Sequence, residues 1–116
     1  MKRILVVEDE MLVAMLIEDL VTDLGHQVVG PAMRVEAALE VLKHEVLDFA
    51  ILDINLAGQT SFPVADQLSE KGIPFMFASG YGAAGLNERY RNAPVVQKPF
   101  AAHQLDAILR CVFSGT

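Results

Sequence analysis

The chain of 116 residues has one cysteine, few basic side chains and no apolar run longer than Met11 to Ile17. A single thiol, Cys111, rules out an internal disulfide framework, and its place in an apolar helical pattern predicts a small core residue. Nine Lys and Arg against fifteen Asp and Glu leave a formal charge of −6. The basic face that phosphate-backbone binding requires is therefore missing, and no nucleic-acid partner is expected. The run from Met11 to Ile17 is far too short for a bilayer span. Glu8, Asp9 and Glu10 also interrupt any signal-like stretch, so no membrane partner is expected and a soluble, cytoplasmic protein is. Repeats, linkers and low-complexity tracts are absent, which leaves one domain over residues 1–116. What is plentiful is apolar mass: a hydrophobic content of 53% is enough for a real core.

Short apolar runs alternate with amphipathic segments of helix length, the βα pattern of an α/β protein. Arg3 to Val7 is expected as a buried strand, because Ile4 to Val7 are continuously apolar, as when helices cover both faces of a sheet. From Met11 to Leu24 the residues Val13, Leu16, Ile17, Leu20 and Leu24 recur at helical spacing, and Gly25 ends the helix. His26 to Val29 reads as a second strand closed by Gly30-Pro31, and Val35 to His44 as a helix resting on Ala38, Leu39 and Leu42. Phe49 to Leu52, Pro74 to Ala78 and Pro94 to Gln97 complete five strands. Val64 to Lys71 forms the core of a third helix, and Ala101 to Phe113 a last one with Leu105, Ile108, Leu109 and Val112 inward. Periodicity does not give the strand order. A doubly wound, flavodoxin-like order would set the first and third strands side by side, with their carboxyl ends at the crevice where such sheets bind ligands.

Four short motifs stand at strand ends: Glu8-Asp9, Asp53, Ser79 and Lys98-Pro99. One sheet rim would gather them. Close carboxylates repel by about 4 kcal/mol per pair at an effective dielectric of 20, so a pocket holding Glu8, Asp9 and Asp53 calls for a cation. Oxygen-only ligands with room for water suit Mg²⁺. Asp53 is then a candidate nucleophile toward phosphorus, with Lys98 supplying positive charge and Ser79 a hydroxyl to the phosphoryl oxygens. Simpler readings compete: Glu8 and Asp9 favouring a helix N-terminus, Asp53 in a turn, Lys98 on the surface, Ser79 in a loop. His26, His44 and His103 share no spacing that suggests a metal or phosphotransfer site and read as solvated surface residues.

Together, Ile4-Leu5-Val6-Val7-Glu8-Asp9-Glu10, Leu52-Asp53-Ile54-Asn55, Ala78-Ser79-Gly80 and Lys98-Pro99-Phe100 resemble the receiver domain of two-component response regulators over nearly the whole chain. The resemblance implies a five-stranded parallel sheet of order 2-1-3-4-5, aspartyl phosphorylation at Asp53, and Ser79 and Lys98 at the phosphoryl group. It also implies Mg²⁺ held by Asp9, Asp53 and the main-chain carbonyl of Asn55, with Glu8 acting through water, and a cis Lys98-Pro99 peptide. The implied partners are a histidine kinase or histidine phosphotransfer protein and a downstream protein target. A receiver-like adaptor that is never phosphorylated is the alternative. A phosphatase of the haloacid-dehalogenase type is excluded, because Asn55 stands where its second aspartate would be.

The departures lie between Ser79 and Lys98. Many receivers carry an aromatic three residues before the lysine, and here that residue is Val95. The stretch from Pro74 to Gly80 is similar to a receiver subfamily with a Pro-Phe-x-Phe-Ala-Thr-Gly signature, with Ser79 replacing its threonine. Gly80, Gly82 and Gly85 predict a short or mobile fourth helix within Leu86 to Arg91. Ordering of the segment from Gly80 to Asn92 is the expected readout, with Tyr81 as a mobile aromatic and a shield of the acyl phosphate.

Overall fold

The computed structural model describes residues 1–80 and 86–114. Tyr81, Gly82 and Gly85, and the roles read for them above, lie outside the described residues. The main sheet contains β1 (Arg3–Val7), β2 (Gln27–Ala32), β3 (Phe49–Asp53), β6 (Phe75–Ser79) and β7 (Val95–Gln97). Its order is β2-β1-β3-β6-β7, with every pairing parallel. Set aside the small hairpin of β4 (Asn55–Leu56) and β5 (Gln59–Thr60), and this is the expected 2-1-3-4-5 order. The helices are α1 (Met11–Asp23), α2 (Val35–His44), α3 (Phe62–Glu70) and α4 (Ala102–Phe113). A 3₁₀ turn at Glu88–Tyr90 stands inside the range expected for the short fourth helix.

Alternation along the strands sorts the core into two layers. Leu5, Val7, Ala50, Leu52 and Phe77 face α2 and α3, whereas Ile4, Val6, Phe49, Ile51, Met76 and Ala78 face α1 and α4. Each fully buried large side chain contributes about 1.5–3 kcal/mol, so the continuous apolar strands anchor both layers at once.

Several expectations change. Strand β2 does not stop at Gly30-Pro31: its register against β1 slips between Leu5 and Val7, and it continues through this bulge to Ala32. Gly30 makes the bend possible at φ +99°, where a Cβ would lie 2.8 Å from the Ala32 nitrogen and 3.1 Å from the Val6 oxygen. On α1 the buried row is Ala14, Ile17 and Val21. Leu16 is exposed, because small Ala14 lets the helix approach the sheet on that row and turns Leu16 to the rim. Cys111 is also exposed. It sits two residues past buried Leu109, about 200° around the helix, and so faces away from the core. His44 and His103 are exposed as expected, but His26 is half-buried and its Nδ1 accepts the Lys2 N–H at 3.1 Å. Lys98-Pro99 is cis, and so is Gly30-Pro31. Among the described residues no helix is long and apolar enough to cross a membrane.

Candidate functional site

The acid pair is placed by the end of β1. The Glu8 N–H donates to the Ala32 carbonyl at 3.0 Å, so the bulged extension of β2 carries Glu8 into the protein, where it is fully buried. Glu8 Oε2 accepts the Glu10 N–H at 3.1 Å, while Asp9 stands half-buried at the rim. Parallel β3 delivers Asp53 beside them, only 8% exposed. Strands β6 and β7 end in step: the Lys98 N–H donates to the Ser79 carbonyl at 2.8 Å, which ties the lysine to the buried serine's strand.

The lysine joins the two buried acids. Lys98 Nζ lies 2.7 Å from Glu8 Oε1 and 3.3 Å from Asp53 Oδ2. These groups sit at a cleft of about 700 Å³ that Asp9, Asp53, Asn55, Ser79 and Lys98 line on the polar side, and Val13, Leu16, Leu20 and Phe100 on the apolar side. All six site residues expected from the sequence thus come to one rim, with Glu8 reached through Lys98.

Burial dominates the electrostatics. It raises Glu8 to about 7 against the opposing hydrogen bond from Lys98, with the Asp53 charge adding to the rise. Burial likewise raises Asp53, against the pull of the Lys98 charge. For Lys98 burial works the other way, yet the hydrogen bond to Glu8 and the charge of Asp53 hold it above the usual lysine value. One ammonium does not balance this many carboxylates.

The donor set fits a hard divalent cation. Carboxylate oxygens of Glu8, Asp9 and Glu10 all lie within 4.8 Å of one another, and the exposed Asn55 lines the same cleft as Asp9 and Asp53, an oxygen donor set of the kind such cations take. Glu10 was not among the ligands expected from the sequence. The β4–β5 hairpin, whose Ala57 N–H donates to Asp9 Oδ2 at 3.0 Å, is likewise not apparent in the sequence. The Ala57-Gly58 pair is a faint form of the Asn-Gly hairpin signal, and strands of two residues leave no period to detect. A third omission is on α3: Asp66 accepts hydrogen bonds from the Tyr90 hydroxyl and the Arg89 guanidinium. Tyr90 is buried among Phe62, Phe75 and Phe77, all against the sheet face that also holds Val95.

A doubly wound parallel sheet with an acidic pocket and a lysine at its carboxyl rim defines a receiver-type α/β module. The chain belongs to the response regulator receiver domain family, whose model matches residues 4–110. Among curated proteins it is 36% identical to the phyllosphere-induced regulator PhyR of Methylorubrum extorquens AM1, over 92% of this chain and 42% of that one. It is 27% identical to the transcriptional regulatory protein PdtaR of Mycobacterium tuberculosis H37Rv, over 90% of this chain and 53% of that one. The chain therefore spans about half the length of these curated relatives. The solution structure of SdrG from Sphingomonas melonis Fr1 matches with a TM-score of 0.87 at 40% identity, over 97% of this chain and 96% of that one. A BeF3-activated conformation of SdrG matches with a TM-score of 0.81, also at 40% identity, over 95% and 94% of the two chains. Family membership makes the chain a signalling module of the two-component type.

Proposed function

We propose that this protein is a phosphorylatable switch that accepts a phosphoryl group on Asp53. The observation that carries the reading is the Lys98 ammonium, 3.3 Å from Asp53 Oδ2, both of which line the cleft. An Asp53 oxygen forms the new O–P bond as the donor's N–P bond breaks, and the donor imidazole leaves with the electron pair. Lys98 and the Ser79 hydroxyl meet the phosphoryl oxygens, where charge spreads in the transition state. Asp9, Asp53 and the Asn55 carbonyl, with Glu8 through water, would hold Mg²⁺, which when bound supplies further positive charge to those oxygens.

The donor is a histidine kinase or histidine phosphotransfer protein. Met11, Leu12, Met15 and Leu16 are each more than half exposed on α1, and Leu16 continues directly into the cleft above Asp53. This apolar strip, next to the cleft, suits contact with a macromolecule that brings a phosphohistidine to Asp53. The neighbouring Glu10, Glu18, Asp19 and Asp23 favour a partner with a basic rim. The signal then passes to a protein target in the cytoplasm. A structure matching with 30% identity is named an anti-anti-sigma factor, PhyR of Bartonella quintana, of which this chain covers 45%. A regulator of transcription initiation is accordingly the class of target to try first.

Intact mass after incubation with a small phosphodonor and Mg²⁺ tests the reading. A gain of one phosphoryl group that Asp53→Asn abolishes is expected. No gain from small donors or from a phosphorylated kinase would leave a binding adaptor as the better description.

A further inference from the structure

The hairpin that follows Asp53 is too short to add much to the core, yet it is tightly built. Asn55 pairs with Thr60 and Leu56 with Gln59, Leu56 is fully buried, and the Ser61 N–H closes the unit by donating to the Ile54 carbonyl at 2.8 Å. Its two loop residues both have positive φ, 51° at Ala57 and 84° at Gly58. That is the signature of the two-residue type I′ turn, in which Gly, Asn or Asp is favoured. Alanine is disfavoured in this conformation, because its Cβ comes too close to the following carbonyl oxygen.

A strained residue held in place by a rigid frame invites the question of what its backbone does. In a two-residue hairpin the N–H of the first loop residue takes no part in the cross-strand ladder. Here that spare N–H donates to Asp9 Oδ2 at 3.0 Å. Asp9 stands just past β1, so the contact joins the two chain segments that contribute acids to the pocket.

We infer that Ala57 is a positioning residue for the acidic pocket: its N–H holds one oxygen of Asp9 and thereby fixes how that carboxylate is presented to a divalent cation. A hydrogen bond to an ionised oxygen restricts the rotation of the carboxylate, and such outer contacts typically change metal affinity by about 10–100-fold. The same hairpin carries the Asn55 carbonyl, so one rigid unit sets two of the groups read as cation ligands. The inference rests on the metal reading given above, but the contact itself exists without a metal.

Two measurements on the full chain test it. The first is amide exchange in the metal-free protein. Asp9→Ala should speed exchange at Ala57 by about tenfold or more, as expected when about 1.4 kcal/mol of protection is lost, while the Ser61 amide stays protected and reports an intact hairpin. Ala57 exchange that ignores Asp9→Ala would overturn the inference. The second is calorimetric titration with Mg²⁺ alone. Ala57→Gly keeps the N–H and relieves the turn, and should bind within about threefold of wild type. Ala57→Pro removes the N–H and should bind at least about tenfold more weakly. Equal affinity of the proline variant and wild type would also overturn the inference, and if that variant does not fold the exchange comparison decides. A wild type that takes up no Mg²⁺ at millimolar concentration would overturn the metal reading and the affinity argument with it, whereas the exchange result isolates the Asp9 contact.

Discussion

Replacing Lys98 by Met keeps the aliphatic stem and deletes the ammonium that faces both buried acids. At an effective dielectric of 20 the contacts at 2.7 and 3.3 Å are worth about 6 and about 5 kcal/mol gross. Desolvation consumes most of that, and removing one partner of a buried pair costs about 3–5 kcal/mol net. A proton can stand in for the ammonium, however, which makes the loss depend on pH. Glu8 already sits near 7 in place of its ordinary 4.5, and without Lys98 both it and Asp53 rise further. A carboxyl whose folded pKa is raised contributes stability that is complete below its unfolded pKa and disappears as pH climbs through the folded value. Each one that stays protonated higher in the variant widens the gap by up to about 1.4 kcal/mol per pH unit. Urea unfolding followed by circular dichroism, in chelator, should therefore give a gap of about 1 kcal/mol near pH 5 and about 3–5 kcal/mol near pH 8. A gap that does not change with pH, or a variant as stable as wild type near pH 8, would refute the claim that Lys98 is the counter-ion of this pair.

Gly30→Ala should cost at least about 2 kcal/mol, from left-handed strain and overpacking against two backbone atoms that cannot yield without parting Glu8 from Ala32. A thermal melt checks it, and a loss under about 0.5 kcal/mol would mean the bulge can reshape freely. Tyr90→Phe removes the hydrogen bond that, ahead of Arg89, holds Asp66 below its usual value. The half-exposed setting limits the loss to about 1 kcal/mol near neutral pH. A depressed carboxylate stabilises above its unfolded pKa, so the deficit should fade as pH is lowered through the folded pKa, below the ordinary 3.8. A constant deficit in urea midpoints would assign the effect to ring packing instead.

Much of the fold was legible because parallel strands buried on both faces must be continuously apolar, and Ile4 to Val7, Phe49 to Leu52 and Phe75 to Ala78 are. The rim was legible for a related reason: a charged or hydroxyl residue directly after such a run has to sit at the strand's end. The remainder depends on the main chain, which side-chain patterns do not report. Nothing in the letters marks the Ala57 N–H as a donor to Asp9, or the Ala32 carbonyl as the acceptor that draws Glu8 inward. Gly30-Pro31 looked like a stop because glycine and proline usually end strands, whereas here they bend one. Periodicity alone puts Leu16 and Cys111 inside, yet both are exposed. A helical stripe fixes the spacing of the buried row, but the neighbouring surface decides its rotation, and Ala14 shifted it on α1.

That bend in β2 has a consequence for the company the protein keeps. The outer strands of a sheet present unpaired backbone groups on which another chain can build, a hazard for a chain that is 53% hydrophobic. On one side Gly30 kinks the strand out of line and Pro31 offers no N–H. On the other, β7 is only three residues long. Neither margin offers a straight template, so the sheet gives a second chain little backbone to pair with.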